Sequence, residues 1–331
     1  MLVLISALAI GPGTCNNGVA FADRGDWLIG GSANGKVAVW SAKSWTPAFS
    51  VGIGDEVTAV AISESGDFIA AGANGKAIWW KRSGRAYEKL FEKELKARVG
   101  AVAFSKDEAN LSCSTAGVGN IVIFDTQTGK IANRLYELGN GIGSLCYSSD
   151  GKTLTSAGQT WMMWSPKKRT ALASVPLTGG SSFVQEQGQK PALIWQVGLY
   201  TQATVISPDG ALVAGVGHAI RADEGYARSL VIRRSEDGTQ VKSIRSEREP
   251  FTSIAWSSDG KWIVAGGEDE HIWVWDWKGV AAPRRIPCNV GKIRSLSFQA
   301  KTNLLAVGGD REGVELRNIP DGNIVRNLEF P

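Results

Sequence analysis

The residues in this chain that could do chemistry are few and scattered. There are two histidines, His218 and His271, and four cysteines, Cys15, Cys113, Cys146 and Cys288. Two His cannot alone supply a facial set of metal ligands, and no C-x-x-C pair or Cys–His ligand spacing occurs. Asp269-Glu270-His271 has the types for acid–base work or a metal, but a polar turn with an exposed His is the plainer reading. Gly30-Gly31 and Gly266-Gly267 end apolar runs and open no helix, so they lack the N-terminus that cradles phosphate. Neither a G-x-S-x-G elbow nor a Walker loop is found. Trp273, Trp275 and Trp277 alternate along one strand face. They could cage a methylated lysine, and a packing ladder between sheets is the simpler outcome. These residues lead away from catalysis, and neither a metal nor a cofactor is expected.

Binding residues need a framework, and the composition describes a large apolar one. Of 331 residues 43% are hydrophobic, with 40 Gly and 13 Trp. Trp at that load needs wide, well-packed surfaces, and β-rings routinely exceed ordinary domain size. A net charge of +4 is too small to imply a nucleic-acid partner by itself. The widely spaced cysteines suit a reducing, cytoplasmic location better than a disulfide-dense secreted module. Residues 1–10 are apolar and include Ala7-Leu8-Ala9, which resembles a leader-cleavage site. They lack a basic start and their apolar run is short, so residues 1–17 read as a strand and linker. No other stretch approaches bilayer length, and a soluble protein is expected.

Through residues 18–331 one motif keeps returning. Gly31-Ser32-Ala33-Asn34-Gly35-Lys36-Val37-Ala38-Val39-Trp40 is echoed by Gly72-Ala73-Asn74-Gly75-Lys76-Ala77-Ile78-Trp79-Trp80. The same slot recurs at Phe124, Trp164, Ile232, Trp275 and Leu316, at roughly forty-residue spacing except after Trp164. Upstream of it lie an apolar run and a tight turn, as in Ser257-Ser258-Asp259-Gly260, whose Gly supplies positive φ. Four short strands per unit cannot hide both sheet faces alone, whereas seven such sheets stacked radially can. The expected fold is all-β: a single seven-bladed β-propeller of four-stranded antiparallel blades, each strand buried on both faces, with the slot on each third strand. Ile324 to Leu328 is expected to form the last outer strand, and residues 1–10 to cover the edge beside it.

This pattern resembles the WD-repeat family from about Gly18 to Phe330. Trp275-Asp276 is a literal Trp-Asp pair and Phe124-Asp125 a close variant. The family's buried tetrad joins an Asp before the Trp strand to a His, a Ser and the Trp. Asp269 and Asp310 stand where that Asp belongs, with Asn34 and Asn74 in the first two units, while the His is missing throughout. The resemblance implies a non-catalytic scaffold or adaptor, binding other proteins through loops on a rigid ring and working within a complex. Apolar packing must then carry more of the blade stability.

In such a ring every connection from third to fourth strand leaves on one face. Lys81-Arg82, Lys167-Lys168-Arg169 and Arg233-Arg234 follow the slot and would gather there. The alternative function is therefore an anion-binding ring for phosphoinositide, other anionic lipid or nucleic acid, against the plainer reading of a solvated rim. An enzymatic ring of the lactonase or quinoprotein kind lacks clustered ligands. The long interval after Trp164 is expected to place two loops on the opposite face. One is residues 177–201, joining the fourth blade to the fifth, and the other is residues 218–228. Together they would carry a partner-binding surface of Phe183, Trp195, Tyr200, Arg221, Tyr226 and Arg228. The competing reading makes Leu193 to Val197 an extra strand on the ring. Changing Lys167, Lys168 and Arg169 to Ala is expected to leave the melting temperature nearly unchanged, because exposed charges contribute little. A large drop would show that they are structural.

Overall fold

Turn chemistry sets the first hairpin of most repeats. Ser63, Ser105, Ser148, Ser207 and Ser257 are all buried. Each accepts, through Oγ, the amide that opens the next strand: Phe68 at 3.1 Å, Asn110 at 3.0 Å, Thr153 at 3.0 Å, Leu212 at 2.9 Å and Trp262 at 2.8 Å. Ser105 and Ser148 donate in turn to Asp107 at 2.6 Å and Asp150 at 2.7 Å. The Lys152 amide and the Ser148 hydroxyl together hold the Asp150 carboxyl below the usual carboxylate range. Each hairpin is therefore closed by side chains of its own turn.

The computed structural model describes residues 18–331 apart from 23, 85, 116–119, 137–140, 149, 159–160, 166–192, 198–199, 222–224, 247–250 and 280–281. Blade one holds β1 (Val19–Phe21), β2 (Trp27–Gly31), β3 (Lys36–Ser41) and β4 (Pro47–Gly52). Blade two holds β5 (Ala59–Ile62), β6 (Phe68–Gly72), β7 (Lys76–Ser83) and β8 (Ala86–Glu94). Blade three holds β9 (Val99–Phe104), β10 (Asn110–Thr115), β11 (Asn120–Asp125) and β12 (Ile131–Tyr136). Blade four holds β13 (Ile142–Tyr147), β14 (Leu154–Gly158), β15 (Trp161–Trp164) and β16 (Leu193–Val197). Blade five holds β17 (Tyr200–Ile206), β18 (Leu212–Arg221), β19 (Gly225–Arg234) and β20 (Gln240–Ser246). Blade six holds β21 (Phe251–Trp256), β22 (Trp262–Gly267), β23 (His271–Asp276) and β24 (Arg284–Pro287). Blade seven holds β25 (Ile293–Phe298), β26 (Leu304–Gly309), β27 (Val314–Asn318) and β28 (Ile324–Leu328). The chain is a seven-bladed, all-β propeller with the slot on each third strand.

The register corrects two slots. The second residue of the second strand pairs with Trp40, Trp80, Phe124 and Trp275 in four blades, and Leu154, which like them stands six residues after the turn serine or its equivalent, pairs with Trp164 in blade four. In blades five and seven the same position pairs with Arg233 and Arg317, not with Ile232 and Leu316. A one-residue slip in the ladder to the outer strand precedes the slot in blades one to five and seven, and it confirms the count. Hydrophobicity misled the sequence reading because an arginine stem can lie along apolar surface while its head finds a carbonyl. Both guanidinium groups do this alike: Arg233 Nη1 donates to Gly238 O and Arg317 Nη1 to Gly322 O, each at 2.7 Å. Arg317 also bonds Glu315 at 2.7 Å, both buried, while Glu315 accepts the Asn289 amide at 2.9 Å.

Between blades the core divides into seven apolar clusters among the described residues, one for each interface. Hydroxyls stitch the inner strands across several of them. Thr58 donates to Val99 O at 2.7 Å, Ser114 to Ile142 O at 2.9 Å, and Thr252 to Ile293 O. At Gly100 a Cβ would lie 2.0 Å from Ile142 O, so no larger residue fits between the inner strands of blades three and four. The outer strands depart from the expectation of burial on both faces. The pattern of β4 alternates exposed and half-buried positions, and only Leu328 of β28 is buried. They are the free edges of the blades, and no neighbour covers them among the described residues.

Blade seven takes β28 as its outer strand, as expected, and among the described residues no sheet mixes strands from the two ends of the chain. The seam to blade one closes by lateral contact instead. Ser295 Oγ accepts the Val19 amide at 3.0 Å and donates to Val19 O at 3.1 Å, and Ser297 Oγ accepts the Phe21 amide at 2.9 Å. Phe330 meets Trp40 edge-on at 5.3 Å. The N-terminal cover of residues 1–10 lies outside the described residues.

The tetrad of the resemblance survives as a single bond among the described slots, Trp164 Nε1 to Ser156 Oγ at 2.9 Å. The register equivalent of Ser156 in blade six is Ala265, and Trp275 Nε1 is buried without an acceptor. Ala265→Ser is therefore expected to raise stability by about 1 kcal/mol in urea unfolding, and a loss would show that the indole cannot reach it. Arg317→Ala leaves Glu315 buried and unpaired, with an expected loss of about 3–5 kcal/mol. The double variant Arg317→Met with Glu315→Gln should recover most of it. Equal loss in both would assign the effect to packing alone.

Candidate functional site

Antiparallel order divides the connections between two faces. Turns from first to second and from third to fourth strands share one face. Second hairpins and the passages between blades share the other. The basic residues expected on the first face meet different surroundings. Lys81 is exposed, its Nζ 5.7 Å from the Phe68 ring centre. Arg82 is held by Asp67 at 2.9 Å and lies 5.3 Å over Trp27. Arg233 occupies a slot, half-buried, and desolvation lowers its pKa. Arg234 is exposed and lines an open groove of about 840 Å³ between blades four, five and six. Asp150, Asp209, Glu236 and Lys278 share that groove, so both signs of charge interleave there. Lys167, Lys168 and Arg169 lie outside the described residues.

The long interval after Trp164 is resolved differently from either sequence reading. Leu193–Val197 is β16, the regular outer strand of blade four, with Trp195 opposite Met163. The extra length therefore falls between the third and fourth strands of blade four, and residues 166–192 lie outside the described residues. Strand pairing decided this, because an apolar five-residue run fits an outer strand as well as an insertion. Phe183 lies outside the described residues.

The second extension stands on the other face. β18 and β19 remain paired up to Arg221 opposite Gly225, with Tyr226 opposite Ile220. Tyr200, His218, Arg228 and Ser246 form one row across the four strands at the base of this ribbon. The structure thus brings Tyr200, Arg221, Tyr226 and Arg228 to one end of blade five and leaves Trp195 on another blade.

The candidate chemical groups are engaged in structure. Asp269 accepts the His271 amide at 3.3 Å, Trp273 Nε1 at 3.1 Å and Arg285 Nε at 3.3 Å. Trp273 stacks on Trp275 with centroids 6.3 Å apart, and Phe251 meets Trp275 edge-on at 5.5 Å. Trp277 donates to Gly260 O at 2.7 Å and packs on Trp256. These rings meet within blade six and pack with the apolar residues of blade five in one cluster, as the packing reading expected. Burial pushes the Cys288 thiol up to about 12 and raises Cys113 further, which disfavours thiolate chemistry at either. Among the described residues no group of three or more His, Cys, Asp or Glu could hold a metal. No helix among them is long and apolar enough to cross a membrane.

Sequence reasoning missed Arg317 and the seam serines. The spacing of Arg233 and Arg317, five residues before the turn glycines Gly238 and Gly322, matches Phe124 before Gly129 and was the available signal.

Comparison with known proteins bears on this geometry directly. The family model described as "WD domain, G-beta repeat" matches residues 13–41, 50–81 and 238–276. These segments cover the Trp-slot strands of blades one, two and six, and the last of them begins in the outer strand of blade five. Telomerase protein component 1 of Rattus norvegicus is 24% identical over 282 residues, 82% of this chain and 10% of that protein. The chain therefore spans about a tenth of the length of the curated relative it matches. With seven four-stranded sheets in its ring, the chain is a seven-bladed β-propeller, and three of its segments are similar to the WD domain, G-beta repeat.

Proposed function

We propose that the ring is a non-catalytic scaffold that holds protein partners on the face raised by the β18–β19 hairpin. The length of that hairpin carries the reading. Both strands have ten residues, whereas the second strands of the other blades have five or six. Four further residues at about 3.4 Å each lift the ribbon roughly 14 Å above its neighbours. Arg221, Tyr226 and Arg228 sit on it, with Tyr200 at its base, and Tyr and Arg dominate binding hot spots. A rigid ring beneath lowers the ordering cost of presenting them. A matched relative is by name a component of telomerase, which supports work within an assembly, and we place that work in the cytoplasm. The four-residue surface replaces the wider one expected from sequence.

Changing Tyr226 and Arg221 together to Ala should reduce capture of native partners about tenfold or more while the melting temperature stays within a degree or two. Unchanged capture of every partner would overturn the reading. The anion-binding alternative separates on salt: polyanion binding whose affinity falls steeply with ionic strength would move the function to the basic turns.

A further inference from the structure

The tetrapeptide Ala-Asn-Gly-Lys closes two of the second hairpins, as Ala33-Asn34-Gly35-Lys36 in blade one and Ala73-Asn74-Gly75-Lys76 in blade two. An Asn followed by Gly can react with its own chain, because glycine has no side chain to keep its amide nitrogen away from the Asn carboxamide. The shared local sequence gives both pairs the same intrinsic reactivity. Any difference between them comes from the fold.

Blade one locks its pair. Its hairpin has one residue more, Ser32, which has no counterpart between Gly72 and Ala73. Ser32 O accepts the Gly35 amide at 3.1 Å, and Ser32 Oγ accepts the Lys36 amide at 3.2 Å. Gly35 is buried, and a Cβ there would lie 2.6 Å from Asp55 O. Blade two leaves its pair open. Ala73 N donates to Lys76 O at 2.9 Å, but the Gly75 amide donates to no acceptor among the described residues. Asn74 is exposed, and nothing stands within 4 Å of a Cβ built on Gly75. Gly75 O accepts the Leu95 amide at 2.7 Å, so the turn is held by its carbonyl while its nitrogen stays accessible.

We propose that Asn74 is a site of spontaneous deamidation in the folded protein and that Asn34 is not. Hydroxide removes the Gly75 amide proton, and the nitrogen attacks Asn74 Cγ. The N–Cγ bond forms, the Cγ–Nδ2 bond breaks, and the carboxamide nitrogen leaves as ammonia after taking a proton from water, which restores the hydroxide. Water then opens the cyclic imide at either carbonyl. Opening at Cγ leaves aspartate at position 74. Opening at the backbone carbonyl leaves isoaspartate, with one more methylene in the main chain. Either product carries a carboxylate at neutral pH. The new charge lies on the face of the second hairpins beside Lys76, whose Nζ stands 3.9 Å from Glu92 Oε1. Isoaspartate also lengthens the turn between the paired Gly72 and Ala77, and a bulge or wider loop has to absorb it.

The test ages the full chain at mildly alkaline pH, folded and in urea. Trypsin cleaves after Lys36 and after Lys76, so the two sites fall in separate peptides. Mass spectrometry then reads the mass gain and isoaspartate content of each. In the folded chain Asn74 should convert about tenfold faster than Asn34 or more, since a locked turn reacts only when it opens. In urea the two should convert at one rate. Equal rates in the folded chain, or a faster Asn34, overturn the proposal. Unequal rates in urea overturn it too, because the fold is then not the cause. Inserting a Ser between Gly72 and Ala73 should slow Asn74 to the rate of Asn34. A folded insertion variant that converts Asn74 at the original rate overturns the role given to Ser32.

Discussion

A blade of this protein has two apolar faces and cannot bury either alone, so every other feature depends on each sheet having a neighbour on both sides. Seven interfaces satisfy that only if the last blade meets the first. Among the described residues the meeting is made without a strand crossing between the ends. Ser295 and Ser297 hold the backbone of β1, while Trp40, Phe330 and the apolar side chains of both blades fill the space between. Inner-strand hydroxyls of the same kind recur elsewhere, at Thr58 and Ser114. The seam is therefore built like an ordinary interface.

The interfaces are equivalent in position and unequal in chemistry. Between blades four and five the buried apolar cluster among the described residues is Met163, Ile206, Val213 and Val231, with Thr155, Thr204 and Ser144 adding polar contacts. Between blades five and six four tryptophans and Phe251 pack instead. Slots filled by Arg show how far the repeat can drift once packing is satisfied. An arginine at 317 needs a carboxylate and a carbonyl to be tolerated in the interior, and Glu315 and Gly322 supply them. Trp275 keeps the aromatic and loses the acceptor.

A ring held this way is a stiff support, and the places left for function are where chain exceeds what the support needs. Blade five spends extra residues on a two-stranded ribbon, and blade four on the connection between its outer two strands. The ribbon stands on the face of the second hairpins. The same topology mixes carboxylates of the first hairpins with the basic residues of the other turns, which weakens any uniform field on the opposite face.

Period and turn chemistry determined the seven blades, the slot strand and the locked hairpins, because each is encoded within a few residues: Ser257 and Asp259 close a turn wherever it sits. The sequence also placed Tyr200, Arg221, Tyr226 and Arg228 together, since a hairpin brings near neighbours together. Tertiary structure decided the rest. Whether Leu193–Val197 was an insertion or an outer strand depended on its pairing with β15 about thirty residues earlier, and the Arg233 slot, signalled only by its spacing to Gly238, was settled by its register with Val213. Strand register flips every side chain with a one-residue shift, and hydrophobicity alone does not specify it where an Arg stem can take an apolar position.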